Sequence, residues 1–195
     1  MEFHHISVLY EEVLSFLQPK EGEIFVDGTV GGGGHSYGII KQLGPKGYLL
    51  AIDQDQDALL AAKKNLKMFS DQISFHHTNF EYLPNLINTH YSNGVDGILL
   101  DIGVSSPQID NSSRGFSYMK NAVLDMRMDM TKELNAKYII NNYTEFQLEK
   151  IFREYGEEKW SSRITEIILE KRKKKPIETT FELVDCIERA IPKGA

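Results

Sequence analysis

Acidic residues and glycines follow a short apolar run near the start of this chain. The segment IFVDGTVGGGGHS, residues 24–36, places Asp27 at the end of that run and four consecutive glycines shortly after it. Glycine after a strand lets the backbone turn tightly, and lets a ligand approach without meeting a Cβ. A helix beginning near His35 would direct its free N–H groups at the same ligand. The segment therefore predicts a ligand-binding loop, and the alternative is a flexible loop that binds nothing.

The spacing of the glycines restricts the class of ligand. Gly31 and Gly33 begin a dinucleotide fingerprint, but residue 36 is serine where the third glycine is needed, and no Lys-Ser or Lys-Thr follows as in a Walker A loop. The pattern present is D-x-x-x-G-x-G, counted from Asp27. Asp27 would repel a pyrophosphate and attract a cation. S-adenosyl-L-methionine, which carries a sulfonium and an ammonium group and no phosphate, fits that requirement.

Three further apolar runs end in residues that could complete the site. Asp53, 22 residues beyond Gly31, is placed to accept hydrogen bonds from ribose hydroxyls, although it could also be a solvated acid at the start of a helix. Phe80 could cover an adenine ring or belong to the core. Asp101 ends the fourth run and is followed by IGVSSPQ, residues 102–108. Four successive strands would each place a polar or aromatic residue at the same edge of the sheet. Together they indicate a ligand site more specifically than any one of them does alone.

The elements that must position these residues alternate along residues 8–102. Strands are predicted at 24–26, 48–52, 73–76 and 97–102, and helices at 8–17, 36–43, 57–69 and 81–88. Strands that alternate with helices of this length imply βαβ units and a parallel sheet with helices on both faces. Open doubly wound sheets usually have more strands, so the sheet in this chain is expected to be incomplete.

The pattern changes near residues 106–110. Residues 107–130 are polar and irregular, and helices are predicted at 133–141, 144–155, 157–174 and 180–190. Thr144 with Gln147, and Thr179 with Glu182, have the spacing of capping boxes, while Pro176 should stop the third of these helices. We therefore predict an α/β domain over residues 1–108 and a helical domain over residues 109–195.

Composition excludes several classes of protein. The chain has 195 residues, a formal net charge of −6 and one cysteine, so no disulfide framework can form within it. No apolar run approaches the roughly 18 residues of a membrane span, and the N-terminal segment lacks the features of a signal peptide. The histidine pairs His4-His5 and His76-His77 lack chelating spacing, and no metal site is predicted. These features are typical of a cytoplasmic protein without a membrane partner.

Eight segments together resemble one known family. HHISVLYEEV, DGTVGGGGHS, AIDQD, NFEYL, DGILLDIGVSSPQID, RGFSY, LDMRMD and YGEEKWSSRI are similar, in order and spacing, to the bacterial 16S ribosomal RNA cytosine-N4-methyltransferases of the MraW/RsmH type. The resemblance implies a Rossmann-like methyltransferase fold that uses S-adenosyl-L-methionine and has a helical domain inserted after the fourth strand. It also implies methylation of a cytidine in the decoding region of small-subunit ribosomal RNA. Family members are about half as long again, so this chain looks as if it lacks the C-terminal third.

The resemblance also assigns residues. It places cofactor contacts at Gly33, Gly34, His35, Asp53, Phe80, Asp101 and Gln108, whereas Asp27 and Gly31 rest on the spacing argument alone. Asp101 is placed to accept N–H bonds from the target amine, or else only orders the loop or binds cofactor. The turn Ser105-Ser106-Pro107 could supply a carbonyl for the same purpose. Arg114, Phe116 and Arg127 could hold an unstacked base, but Phe116 could equally lie in a small strand and Arg127 could pair with Asp125 or Asp129.

Several alternatives remain at the level of sequence. The basic run of residues 171–175 could contact phosphates or be a solvated helix end. A nicotinamide-dependent oxidoreductase is the nearest chemical rival, and the missing third glycine and Asp27 argue against it. The chain could also be a truncated module that binds the cofactor without catalysis, or a methyltransferase for a substrate other than RNA. Sequence leaves the oligomeric state open, with a dimer as one option.

Overall fold

The computed structural model describes residues 7–192, so the His4-His5 pair and the last three residues lie outside the described part. The chain divides into two compact units, Met1–Gly103 and Val104–Ala195. This division falls five residues before the predicted boundary at residue 108. The Ser105 N–H donates to Gln108 Oε1 in the capping box of the first helix of the second unit. This local bond places residues 105–108 in the second unit.

The first unit contains a four-stranded sheet. Its strands are β1 (Ile24–Asp27), β2 (Tyr48–Asp53), β3 (Ile73–His77) and β4 (Gly97–Leu99), in the order β3-β2-β1-β4. All three pairings are parallel, as the alternation of strands and helices predicts. Because β2 and β4 lie on opposite sides of β1, the direction of strand succession reverses at β1. Ligands of open α/β sheets bind outside the carboxyl ends of the strands at such a reversal.

Helices cover both faces of this sheet. They are α1 (Tyr10–Leu17), α2 (Gly34–Leu43), α3 (Gln56–Asn65) and α4 (Leu83–His90). One core joins α1, α2 and α3 to the face that carries Phe25, Leu49 and Ala51. A smaller core on the other face joins α4 to Val26, Leu50 and Ile52. Alternate residues of each strand thus enter opposite cores, which fixes the strand register and the position of each strand end.

Strand β4 is shorter than predicted. The apolar run suggested a strand over residues 97–102, but pairing with β1 stops where Asp27 lies opposite Leu99. Beyond Asp27 the chain turns into the glycine loop, so β1 offers no further backbone to pair with. Leu100 and Ile102 are 41% and 72% exposed. Asp101 therefore lies on an irregular segment rather than inside a strand.

The second unit is helical. Its helices are α5 (Ser106–Asp110), α6 (Ala136–Asn142), α7 (Glu145–Lys150), α8 (Ser161–Lys174) and α9 (Thr180–Ala190). Helices α6 to α9 enclose a core that includes Leu124, Ile140, Leu148 and Ile168. No helix within residues 7–192 has the combination of length and apolar character needed to cross a membrane.

Local signals set the ends of several of these helices. The capping boxes predicted at Thr144 and Thr179 are both formed, and α8 ends at Lys174, two residues before Pro176. The helix predicted over residues 144–155 continues past α7 as a π-helical turn, Ile151–Tyr155. The next helix begins at Ser161 rather than at residue 157, because Glu157 has φ of 50°, outside the right-handed helical region.

Candidate functional site

The glycine loop connects β1 to α2 in the conformation that its glycines permit. Gly31 and Gly33 have φ values of 52° and 86°, in the left-handed region. A Cβ on Gly33 would also lie 2.9 Å from the side chain of Leu66. The loop is closed by a hydrogen bond from Gly33 N–H to the carbonyl of Val30, at 2.8 Å. Both glycines are therefore needed for the turn that presents the start of α2 at the strand ends.

Asp27 is enclosed beneath this loop. Its side chain is 1% exposed, its Oδ1 accepts the Thr29 N–H at 3.1 Å, and its Oδ2 accepts the Ser36 hydroxyl at 2.6 Å. Burial raises the pKa of this carboxyl from 3.8 to about 6, against the lowering effect of the Ser36 and Thr29 hydrogen bonds. Asp27 thus contacts the loop and the first turn of α2. Any contribution to ligand binding would act through the loop and through its charge.

Asp53, at the end of β2, anchors the same loop from the neighbouring strand. Its Oδ2 accepts the Gly31 N–H at 2.9 Å, and its Oδ1 accepts the Asp55 N–H at 2.9 Å. Partial burial raises the pKa of Asp53, while these two backbone bonds lower it. The backbone of Gln54 also bonds this carboxylate, and a carboxylate offers about four acceptor sites, so one site remains for a ligand. Asp53 can therefore hold the loop and accept a hydroxyl from a ligand at the same time.

Asp101 reaches the site from the segment after β4. Its side chain is exposed, and its backbone N–H donates to Thr29 Oγ1 at 2.7 Å. The charges of Asp53 and Asp101 both raise the pKa of Asp27, so the three carboxyls interact electrostatically at the ends of β2, β4 and β1. A rim with this charge repels phosphate and attracts a cation.

His35 lies in the first turn of α2 with its side chain 8% exposed. Its Nδ1 is buried and has no hydrogen-bond partner among the described residues. The ring stacks on Tyr10 at a centroid distance of 6.0 Å. Burial lowers the pKa of His35, and the Asp101 charge opposes that shift. The first turn of α2 has no acidic side chain, so its N–H groups can receive a ligand carboxylate.

These features together fit S-adenosyl-L-methionine. The three carboxyls suit its cationic centres, Asp53 suits its ribose, and the start of α2 suits its carboxylate. Phe80 follows β3, is half-buried, and packs against the core of Val26, Leu50 and Ile52. The core alternative for Phe80 is thus realised for part of the ring, and the exposed part leaves the adenine role as a prediction.

The remaining predicted residues lie in the second unit and are described within it. Ser105 and Gln108 form the capping box of α5, in which Gln108 Oε1 accepts the Ser105 N–H at 3.0 Å. Gln108 is 5% exposed, whereas Ser106 is half-buried and Pro107 exposed at the start of the same helix. The cofactor contact of Gln108, and the substrate contacts of the Ser105-Ser106-Pro107 turn, remain predictions.

Arg114 and Arg127 have internal partners. Arg114 is 6% exposed, and its guanidinium donates to the carbonyls of Arg127 and Met128, each at 3.0 Å. Arg127 pairs with Asp125 at 2.7 Å, which confirms the alternative raised from the sequence, and this pairing lowers the pKa of Asp125. Phe116 is half-buried and does not lie in a strand, so the small-strand alternative is wrong. A role in holding a base stays a prediction for all three.

Two residues important to this geometry were missed from the sequence. Thr29 connects Asp27 to Asp101, because its N–H donates to Asp27 and its hydroxyl accepts the Asp101 N–H, and the Ser36 hydroxyl connects Asp27 to α2. The available signal was a hydroxyl residue two positions after an acid at a strand end, a spacing that favours a local side-chain turn. Nothing local predicts the hydrogen bond from Asp101, which is 72 residues away from Thr29.

The chain is similar in sequence to a known family and to curated proteins. Residues 2–195 match the model of the MraW methylase family. The chain is 48% identical over 195 residues to ribosomal RNA small subunit methyltransferase H of Clostridioides difficile (strain 630), covering all of this chain and 63% of that protein. It is 52% identical over 192 residues to the protein of the same name from Clostridium botulinum (strain 657 / Type Ba4), covering 98% of this chain and 62% of that one. The chain thus spans less than two thirds of the curated relatives it matches.

Solved structures resemble parts of the chain. A protein-L-isoaspartate O-methyltransferase matches with a TM-score of 0.41 and 14% identity, over 59% of this chain and 35% of that one. A SAM dependent methyltransferase from Aquifex aeolicus matches with a TM-score of 0.33 and 24% identity, over 36% of this chain and 38% of that one.

Proposed function

The chain belongs to the MraW methylase family, and we propose that it transfers a methyl group from S-adenosyl-L-methionine to the exocyclic N4 amine of a cytidine in the decoding region of small-subunit ribosomal RNA. The relatives named ribosomal RNA small subunit methyltransferase H support ribosomal RNA as the substrate class. The observation that carries the proposal is the meeting of Asp27, Asp53 and Asp101 around a glycine loop at the reversal point of the sheet.

Cofactor binding follows from the acid-lined loop. S-adenosyl-L-methionine supplies an activated methyl group on a positively charged sulfur. Asp53 accepts a ribose hydroxyl through the acceptor site that its backbone bonds to Gly31, Asp55 and Gln54 leave available. The first turn of α2 carries no acidic side chain, so its N–H groups can pair with the carboxylate of the cofactor. A nicotinamide dinucleotide would instead bring its pyrophosphate near the carboxyls of Asp53 and Asp101 and above the enclosed carboxyl of Asp27, which disfavours the oxidoreductase alternative.

Asp101 acts on the amine that receives the methyl group. The N4 amine of cytosine is a weak nucleophile because its lone pair is delocalised into the ring. A carboxylate that accepts its N–H bonds localises that lone pair and stabilises the positive charge that develops on nitrogen. When the N–C bond forms and the C–S bond breaks, the carboxylate of Asp101 takes the surplus proton from N4 and passes it to solvent. Its exposure leaves room for the base on its open side.

The base must leave its helix before it can reach Asp101. In an RNA duplex the deep groove shields the amine, so the cytidine is bound unstacked or from a single strand. Phosphate contacts would come from the second unit, which contains the basic run of residues 171–175. Three of these five side chains have internal partners. Lys171 bonds Asp185, Lys175 bonds Glu182, and Arg172 donates to the carbonyls of Ile140 and Tyr143. Lys173 and Lys174 are the exposed cations of the run that remain candidates.

Two experiments, carried out one after the other, test the proposed function. Calorimetry with S-adenosylhomocysteine and with NAD, side by side, should show binding of the first alone, and the reverse result would overturn the cofactor assignment. Transfer of a radiolabelled methyl group to small-subunit particles, followed by nucleoside analysis, should yield N4-methylcytidine. Label on a different nucleoside would contradict the N4 assignment. Binding of S-adenosylhomocysteine without any transfer would favour a cofactor-binding module without catalysis, and label on protein would favour a substrate other than RNA.

A further inference from the structure

A chain of three hydrogen bonds connects the first turn of α2 to Asp101. The Ser36 hydroxyl donates to Asp27 Oδ2 at 2.6 Å, and the Thr29 N–H donates to Asp27 Oδ1 at 3.1 Å. The Asp101 N–H then donates to Thr29 Oγ1 at 2.7 Å. The chain begins at a side chain that is 0% exposed and ends at an exposed one.

Within residues 7–192, the segment that carries Asp101 has few other restraints. Strand pairing between β1 and β4 stops at Leu99, whose carbonyl accepts the Gly28 N–H at 2.9 Å. Leu100 is 41% exposed and packs over Gly28, whereas Asp101 is exposed and Ile102 is 72% exposed, so packing holds the segment weakly from Asp101 onward. The hydrogen bond from the Asp101 N–H therefore occurs where neither the sheet nor the core fixes the backbone.

We infer that Thr29 is a positioning residue, whose hydroxyl holds the Asp101 backbone so that the carboxylate faces the sulfonium and the target amine. This inference rests on the proposed function. Thr29 suits the role because its own backbone is fixed by Asp27, whose bond to Ser36 joins it to α2. The hydroxyl accepts the Asp101 N–H and keeps its own hydrogen for a second bond.

A positioning role for Thr29 predicts different effects on the binding of the charged cofactor and of its neutral product. S-adenosylmethionine carries a positive sulfur, and S-adenosylhomocysteine carries a neutral thioether in the same framework. A carboxylate held at the sulfonium stabilises the first and has little effect on the second. Loss of the Thr29 hydroxyl should therefore weaken binding of S-adenosylmethionine selectively. General damage to the loop would weaken both.

The test compares Thr29→Val, which removes the hydroxyl at similar volume, with Thr29→Ser, which retains it. Calorimetry should show S-adenosylmethionine binding weakened about tenfold in Thr29→Val, S-adenosylhomocysteine binding changed by less than about threefold, and near wild-type values for both in Thr29→Ser. Amide hydrogen exchange of Asp101, measured by NMR, should accelerate in Thr29→Val alone.

The other outcomes distinguish failure of the proposed function from failure of the positioning role of Thr29. If the wild-type chain binds neither compound, the proposed function fails and this inference fails with it. If the wild-type chain binds both, but Thr29→Val loses affinity for both equally or for neither, the positioning role is wrong and the proposed function stands. Unchanged exchange at Asp101 in a Thr29→Val protein that folds as the wild type does would also overturn the inference.

Discussion

Asp53 Oδ2 accepts the backbone N–H of Gly31 at 2.9 Å, so the end of β2 holds the glycine loop that leaves β1. These residues are 22 positions apart, the separation at which the sequence predicts an acid for ribose binding. In the structure that acid also supports the loop. Ligand binding and loop conformation therefore depend on the same carboxylate.

Replacement of Asp53 should reduce cofactor affinity. Asp53→Ala removes the acceptor for Gly31 N–H and the acceptor for ribose hydroxyls, so we expect S-adenosylhomocysteine to bind at least about tenfold more weakly by calorimetry. Amide exchange of Gly31 should accelerate in the same variant. Asp71→Ala, at an exposed acid, is the matched control and should bind as the wild type does. Equal affinity in both variants would argue against the ribose assignment.

The buried carboxyl of Asp27 should make stability depend on pH. Because its folded-state pKa is raised from 3.8 to about 6, the folded protein binds this proton more tightly than the unfolded chain does. The contribution of Asp27 to the free energy of unfolding should therefore fall as pH rises through this window. The total change is about 3 kcal/mol, and little further change is expected above the folded pKa.

Asp27→Asn isolates this effect. Urea unfolding of both proteins from pH 4 to pH 7.5 should show the wild type losing up to about 3 kcal/mol relative to the variant across the window. The exposed control Asp71→Asn should show a nearly constant difference from the wild type. A constant difference for Asp27→Asn as well would mean that Asp27 is not buried as described.

Removal of the Ser36 hydroxyl should destabilise the loop and the start of α2. Ser36→Ala leaves the enclosed Asp27 carboxylate with one hydrogen bond fewer, and an unsatisfied buried group of this kind costs about 1–3 kcal/mol. The loss should be larger at pH 7.5 than at pH 5, because the ionised form of Asp27 needs the donor more. Ser15→Ala, on the exposed side of α1, should change stability by less than about 0.5 kcal/mol.

Methyl transfer should depend on the Asp101 carboxylate more than cofactor binding does. Asp101→Asn keeps the size of the side chain and removes its basicity, so the transfer rate should fall by about 10²–10⁴-fold. Affinity for S-adenosylhomocysteine should change little, since its sulfur is neutral. Radiolabelled transfer to small-subunit particles measures the rate, with Glu12→Gln, an exposed change on α1, as the control. Full transfer by Asp101→Asn would remove Asp101 from catalysis.

The exposed lysines at the end of α8 should contribute to RNA affinity. Replacing Lys173 and Lys174 by alanine should weaken binding of small-subunit ribosomal RNA and reduce the slope of log affinity against log salt by about 1–2. Lys171→Ala should instead lower stability, because Lys171 bonds the Glu182 carbonyl and the Asp185 carboxylate. An unchanged salt slope in the double variant would place the phosphate contacts elsewhere.

Local pattern was sufficient for most elements of the fold. The strands beginning at Ile24, Tyr48, Ile73 and Gly97 and the helix over Thr180–Ala190 follow from periodicity and caps, since both depend on neighbouring residues. Local pattern failed where length was set by a distant partner. Strand β4 stops at Leu99 because β1 has no more backbone to pair with, and no property of residues 100–102 reveals that.

The same distinction between local pattern and distant partners applies to the candidate site. By itself the sequence determined the residue types at the strand ends, the glycines that accept positive φ, and the family to which the chain belongs. Only the tertiary structure decided that Asp27 is enclosed, that Arg114 is buried, and that Thr29 joins Asp101 across 72 residues. The reason is physical: the conformation of a residue depends largely on its neighbours in sequence, whereas burial and hydrogen-bond partners depend on which distant strands the crossovers bring together.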